Sequence, residues 1–89
     1  MPHERDIYRK SLARWGEDAQ FQQAIEECAE LIVTLQHFAR GRVGRQTVID
    51  ELADVSLMVG QLAYMFGEAE LEAAIDKKIA KLERLLAEE

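Results

Sequence analysis

The chain has 89 residues, of which 17 are acidic and 11 basic, so its formal net charge is −6. This length allows a single domain, 1–89, because compact domains usually have about 100 residues. A single cysteine excludes a disulfide framework, the apolar runs are too short for a membrane helix, and the acidic balance argues against nucleic-acid binding.

The first half of the chain predicts two helices. Residues 4–14 form a short first helix, and because the polar start has no signal-like apolar stretch we expect a cytoplasmic protein. Residues 18–40 form the second helix, with apolar positions in steps of three and four. That stripe consists of Phe21, Ala24, Cys28, Leu31, Leu35 and Phe38. Cys28 is therefore expected to be a small buried hydrophobe, and Gly41 stands where a helix end is expected.

The second half repeats the pattern. Thr47 is the predicted N-cap of a third helix over residues 48–66, and a fourth helix covers residues 68–87. The stripe of the third helix consists of Val48, Leu52, Val55, Val59, Leu62 and Phe66. These patterns predict an all-α domain of four helices with a central antiparallel helix hairpin. Because so small a domain buries a marginal core although 48 % of its residues are hydrophobic, we expect it to assemble with a second subunit into a helical bundle.

Two carboxylate pairs lie beside the apolar stripes of the central helices. Glu27 and Glu30 are three residues apart on the second helix, and Glu51 and Asp54 have the same spacing on the third. Residues at i and i+3 are neighbours on a helix surface. If the two stripes pack face to face, all four carboxylates converge along one edge of the helix pair.

Converging carboxylates raise one another's pKa unless a cation compensates their charge. Oxygen ligands without cysteine or histidine select Mg²⁺, or Mn²⁺, over zinc. A single pair of this kind is most often an ordinary solvated feature of an acidic helix. Two pairs in matching phase favour a metal site.

The two carboxylate pairs also lie in motifs that resemble those of a known protein family. The stretch Glu26-Glu27-Cys28-Ala29-Glu30, followed after residues 31–50 by Glu51-Leu52-Ala53-Asp54, resembles the EExxE…ExxD signature of the MazG-like all-α nucleoside triphosphate pyrophosphohydrolases. The resemblance extends over residues 15–86. Dimeric dUTPases and phosphoribosyl-ATP pyrophosphohydrolases are similar in the same places.

The resemblance implies a hydrolase that cleaves a nucleoside triphosphate between the α- and β-phosphates, with Mg²⁺, to give a monophosphate and pyrophosphate. It implies Glu27, Glu30, Glu51 and Asp54 as catalytic metal ligands, in a homodimer or homotetramer whose partner chain completes the pocket. Helical geometry places Glu26 about 160° from the centre of the apolar stripe, which favours a surface role for it.

Four further residues are candidate substrate contacts. Lys78 borders the apolar stripe of the fourth helix and either snorkels or contacts a phosphate, with Lys81 as the second choice. Trp15 stands at a helix break and either stacks on a nucleobase or packs against a helix start. Gln23 lies one turn before Glu27 on the same face, where it can orient that carboxylate.

Two alternatives to this function stay open. One is a dUTPase-like or phosphoribosyl-ATP-cleaving enzyme of the same superfamily. The other is a non-enzymatic helical interaction module whose acidic pairs are only surface charge.

Overall fold

A computed structural model describes residues 2–88 and shows an all-α chain of four helices, which confirms that part of the sequence prediction. The residues described contain no strand. The helices are α1 (Pro2–Trp15), α2 (Glu17–Ala39), α3 (Arg45–Phe66) and α4 (Glu68–Ala87). Among residues 2–88, no helix is both long and apolar enough to cross a membrane.

Helix α2 ends at a glycine, as predicted. Arg40 is the C-cap, and Gly41 follows with a φ of 73°, in the left-handed region that glycine enters without a steric penalty. The Gly41 amide donates to the Phe38 carbonyl at 3.0 Å, and the Arg42 amide donates to the His37 carbonyl at 2.9 Å. These two bonds satisfy carbonyl groups at the helix end and form a Schellman motif, which turns the chain toward α3.

The start of α3 differs from the prediction. Thr47 is not the N-cap, because α3 begins at Arg45 and the N-cap is Gly44 in an extended conformation, without a side-chain capping bond. The first turn has another support, since the Gln46 amide donates to Asp50 Oδ1 at 2.8 Å, four residues further on.

The α2–α3 contact is the most extensive between any two helices of the described chain. The buried and half-buried residues of the two helices include Gln20, Ala24, Glu27, Leu31 and Thr34 on α2 and Val48, Glu51, Val55 and Met58 on α3. At about 100° per residue, this line of contact is rotated by about 40–50° from the predicted apolar stripes. The rotation moves Glu27 and Glu51 into the contact and leaves Cys28 exposed, so the expectation that Cys28 is buried was wrong for the single chain.

Helix α1 docks against α2 and α3 through Tyr8, whose side chain is buried. The Gln61 amide on α3 donates to the Tyr8 carbonyl at 3.1 Å, and the Gln20 amide on α2 donates to the Ser11 carbonyl at 3.4 Å. The Tyr8 ring lies directly against the backbone of Gly60, where any larger residue would occupy the same space.

Helix α4 stands apart from the rest of the chain. It packs on α3 near the turn that joins them, and Glu68 in its first turn forms a 3.1 Å salt bridge with Arg5 of α1. Every described residue from Glu68 onward is exposed. The chain is correspondingly extended, with a radius of gyration of 16.0 Å.

The close contact between Gly60 and Tyr8 yields a prediction about stability. A Cβ at position 60 would overlap the Tyr8 hydroxyl and lie 2.6 Å from Cζ. Alanine gains about 1 kcal/mol of helix propensity over glycine, whereas overpacking costs about 1–3 kcal/mol. We expect Gly60→Ala to lower the free energy of unfolding in urea titrations.

A double variant separates the gain in helix propensity from the cost of the clash with Tyr8. In a Tyr8→Leu background the clash is removed, so Gly60→Ala should be neutral or stabilising there. Equal destabilisation in both backgrounds would contradict the proposed contact.

Candidate metal centre and adjoining groove

Three of the four predicted carboxylates meet between α2 and α3. Glu27, Glu51 and Asp54 each offer one oxygen atom, and these oxygens all lie within 4.8 Å of one another. Glu27 and Glu51 are half-buried in the helix contact, whereas Asp54 is exposed at its edge. We call these three residues the carboxylate cluster. They come from two helices, so the rotation of the α2–α3 contact is what brings them together.

The fourth predicted carboxylate, Glu30, is exposed on α2 and is not part of the cluster. Its negative charge nevertheless acts on Glu27 and raises the pKa of that residue. Glu30 therefore lies beside the carboxylate cluster. Glu26 is exposed, in agreement with the surface role expected for it.

Two oxygens of the carboxylate cluster are buried without a hydrogen bond. Glu27 Oε2 and Glu51 Oε2 have almost no exposed surface, and neither has a hydrogen-bonding partner among residues 2–88. An unsatisfied buried acceptor carries its full desolvation cost. A bound divalent cation would satisfy both oxygens, and carboxylate oxygens are the ligands that Mg²⁺ and Mn²⁺ prefer. The donor set therefore fits such an ion.

The electrostatics of the carboxylate cluster show most clearly at Glu27. Burial raises the pKa of this carboxyl group, and the negative charges of Glu30 and Asp54 raise it further. The amide of Gln23 opposes the rise by donating to Glu27 Oε1 at 2.7 Å. Gln23 thus holds one oxygen of Glu27 in place, as the sequence predicted.

Gln23 also lines a groove of ≈ 520 Å³ between α1 and the α2–α3 pair. The predicted substrate contact Trp15 lines the same groove, and its side chain is 61 % exposed, with Arg14 stacked 5.4 Å from the ring centroid. The other lining residues are Ile7, Tyr8, Ser11, Ala19, Gln20, Leu57, Met58 and Gln61. The groove is mostly apolar, and three glutamines are among its lining residues, as expected of a small-molecule site.

Sequence reasoning did not identify the contribution of α3 to this groove. Gln61 is buried almost completely within an otherwise apolar helix segment, and its amide is used on the backbone of Tyr8. A glutamine that interrupts an apolar run is the only signal that the sequence offered, and it did not reveal which helix would dock there.

Lys78 and Lys81 lie on α4, exposed to solvent. Neither lines the groove, and neither forms an ion pair with another residue of the described chain. The structure of one chain thus brings Gln23 and Trp15 together at the site but not the two lysines. Their predicted contact with phosphate stays a prediction.

Comparison with protein-family models, with curated proteins and with solved structures finds no match for this chain. The candidate site has two parts, the carboxylate cluster and the groove, and the side chain of Gln23 contacts the first and lines the second.

The raised pKa of Glu27 predicts a pH-dependent stability difference in metal-free protein. A carboxyl group whose pKa is raised on folding destabilises the folded state when ionised, because the unfolded chain ionises it more readily. We expect Glu27→Gln to be more stable than the wild type at pH 7 with a chelator present. The difference should shrink as the pH falls through the raised pKa and vanish below the ordinary pKa of glutamate.

Thermal unfolding at a series of pH values measures this difference. Glu26→Gln is the matched control, because Glu26 is the adjacent residue and is exposed. A wild type more stable than Glu27→Gln at pH 7 would contradict the electrostatic description of the carboxylate cluster.

A second prediction concerns metal binding. We expect Mn²⁺ to bind the wild type in calorimetric titrations, and Glu51→Gln to weaken binding by at least about tenfold, because even residues that only support metal ligands cost that much when removed. Glu26→Gln should bind as the wild type does. Equal affinities of the wild type and Glu51→Gln would rule out the carboxylate cluster as the binding site.

Proposed function

We propose that the protein is a Mg²⁺-dependent nucleoside triphosphate pyrophosphohydrolase that cleaves the α–β phosphate bond to release a nucleoside monophosphate and pyrophosphate. The observation that carries this proposal is the direct connection, through Gln23, of a carboxylate cluster to an apolar groove. Such a pair of sites suits a ligand with an anionic, metal-binding end and a flat apolar end. The resemblance of the two carboxylate motifs to the MazG-like family supports the same activity.

Glu27, Glu51 and Asp54 are the residues that would hold the ion. One oxygen of each already lies within 4.8 Å of the others, and Glu27 and Glu51 each have a buried oxygen without a hydrogen bond among residues 2–88. A bound Mg²⁺ supplies Lewis acidity, which neutralises phosphate charge and makes a water molecule a stronger nucleophile. Mn²⁺ suits the same oxygen donors.

The chain's own side chains supply orientation and proton transfer. The Gln23 amide fixes Glu27 Oε1, and the other oxygen, Oε2, is buried without a hydrogen-bonding partner among residues 2–88. Glu30 lies outside the cluster yet close enough to act on Glu27, so it is the carboxylate left free to accept the proton of the attacking water. This assigns different roles to two residues that the sequence treated alike.

In this proposal the groove holds the nucleoside. Its apolar wall excludes water from the base, and the exposed ring of Trp15 offers a surface for stacking. The amides of Gln20 and Gln61 are already engaged by backbone carbonyls, so they hold the groove in shape. Lys78 and Lys81 remain the predicted contacts of the phosphates.

The central antiparallel hairpin and its assembly into a bundle belong to the same proposal. Two contacts support the antiparallel direction. Phe21 near the start of α2 packs on Phe66 at the end of α3, with 5.9 Å between ring centroids, and Glu27 in the middle of α2 lies near Glu51, which stands closer to the start of α3. Residues 40–44 join the two helices by a short turn.

The proposal predicts a specific pattern of mutant activities. Glu27→Gln and Asp54→Asn should abolish pyrophosphate release from nucleoside triphosphates while the helical circular dichroism spectrum stays intact. Glu30→Gln should keep its affinity for Mn²⁺ within about twofold of the wild type. It should lose most of its turnover, because a positioned proton acceptor typically raises the rate by about 10²–10⁴-fold.

Turnover is measured as pyrophosphate, distinguished from single phosphates by a coupled pyrophosphatase. Near-wild-type turnover in Glu27→Gln or Asp54→Asn would end the assignment. Turnover measured on a panel of nucleotides that includes dUTP and phosphoribosyl-ATP distinguishes the proposed activity from those of the related enzymes. A protein that binds neither Mn²⁺ nor nucleotides would instead be a helical interaction module.

A further inference from the structure

The amide groups of Gln20 and Gln61 are held in one orientation in the groove. The amide nitrogen of Gln61 donates to the Tyr8 carbonyl at 3.1 Å, and that of Gln20 donates to the Ser11 carbonyl at 3.4 Å. A backbone carbonyl can only accept a hydrogen bond, so the nitrogen of each amide must face α1. The oxygen is on the other side of the same amide carbon. Each oxygen is therefore turned away from the carbonyl that holds its nitrogen.

Both of these amide oxygens remain available to a ligand. Gln61 and Gln20 are only 3 % and 7 % exposed, and both line the groove. Neither side chain forms a further hydrogen bond within residues 2–88. Among these residues, the fully buried oxygens without a partner belong to Glu27 and Glu51, so the oxygens of Gln20 and Gln61 keep some accessible surface. We therefore place two acceptors on the wall of the groove.

Gln23 adds a third acceptor where the groove adjoins the carboxylate cluster. Its nitrogen donates to Glu27 Oε1 at 2.7 Å, so its oxygen is also turned away from the group that holds it. Ile7, Leu57 and Met58 supply apolar surface, and no side chain that lines the groove within residues 2–88 is charged. The groove thus offers a neutral ligand oriented amide oxygens in apolar surroundings.

Nucleobases differ in the group that they present to such acceptors. Cytosine and adenine carry an exocyclic amino group, which donates hydrogen bonds. Uracil carries a carbonyl oxygen in place of the amino group of cytosine, and hypoxanthine carries one in place of that of adenine. An amide oxygen that meets a carbonyl oxygen leaves both acceptors unpaired, which is costly in an apolar groove. A site built to pair with a polar group therefore discriminates strongly against an analogue that lacks it.

We propose that the groove selects nucleoside triphosphates whose base carries an exocyclic amino group, cytosine or adenine, over those with a carbonyl in its place. Gln20 and Gln61 are the specificity-determining residues. An amide free to rotate could offer its nitrogen to a carbonyl, but the hydrogen bonds to α1 prevent that rotation. This selectivity rests on the proposed hydrolysis, since it takes the groove as the nucleoside site.

Trp15 allows binding in the groove to be measured without hydrolysis. It is the only tryptophan of the chain and lines the groove, so its indole N–H gives a single NMR signal from this site. In metal-free protein with a chelator, cytidine and adenosine should shift this signal with dissociation constants at least about tenfold lower than those of uridine and inosine. Equal affinities within each pair, or no shift with any of the four nucleosides, would overturn the proposal.

Turnover with Mg²⁺ tests the same selectivity through the glutamines. In the wild type, kcat/KM for CTP and ATP should exceed that for UTP and ITP at least about tenfold. Gln20→Met and Gln61→Met each remove one acceptor, so each should lower the CTP-to-UTP ratio at least about threefold. Gln22→Met is the matched control, because Gln22 is exposed on α2 and does not line the groove, and it should keep the wild-type ratio.

Gly60→Ala controls for loosened docking of α1. It disturbs the contact of Tyr8 with α3 without altering an amide, so it should lower turnover of CTP and UTP in proportion and keep their ratio. A ratio that falls as far in Gly60→Ala as in Gln61→Met would contradict the role of the amides.

Two outcomes separate the selectivity of the groove from the hydrolysis. Pyrophosphate release from CTP and UTP at equal kcat/KM would overturn the selectivity and leave the hydrolysis intact. Preference for cytidine over uridine in the NMR titration, without pyrophosphate release from any nucleotide, would support the selectivity and overturn the hydrolysis.

Discussion

The packing of α2 against α3 along a line that includes two glutamates is the constraint on which the rest of this structure depends. Placing Glu27 and Glu51 in a helix contact costs free energy, because each has a buried oxygen without a hydrogen bond among the residues described. The same placement brings Asp54 within reach and raises the pKa of Glu27. A contact along the fully apolar stripes would bury more hydrophobic surface but would leave no cluster of this geometry.

The position of the α2–α3 contact line also leaves apolar residues of α2 exposed. Residues that a symmetrical packing of the stripes would cover, such as Cys28 and Leu35, remain exposed. The carboxylate cluster and the exposure of these apolar residues are thus two results of one rotation of the helices. In the helical bundle that we propose, contact with a second subunit would recover hydrophobic stabilisation that the position of the glutamates costs.

Helix α1 forms one wall of the groove, which is linked to the carboxylate cluster through Gln23. Its docking depends on Tyr8, which fits against the backbone of Gly60 and whose carbonyl accepts a hydrogen bond from Gln61. None of these residues belongs to the carboxylate motifs. The groove therefore depends on contacts that are separate from those that form the carboxylate cluster, and the shape of one part can change without loss of the other.

The sequence by itself determined the four helices, the glycine that ends α2 and the carboxylate pairs on α2 and α3, because these follow from spacings of a few residues along one helix. It also placed Gln23 one turn from Glu27, which is a local relation. It did not determine the true start of α3 or the exposure of Cys28. Only the tertiary structure decided how far each helix is rotated, that Glu27, Glu51 and Asp54 meet without Glu30, and that Tyr8 docks beside Gly60. The physical reason is that helical periodicity fixes the direction of each side chain around its own helix. Which residue of another helix it meets is decided by packing between residues distant in the chain.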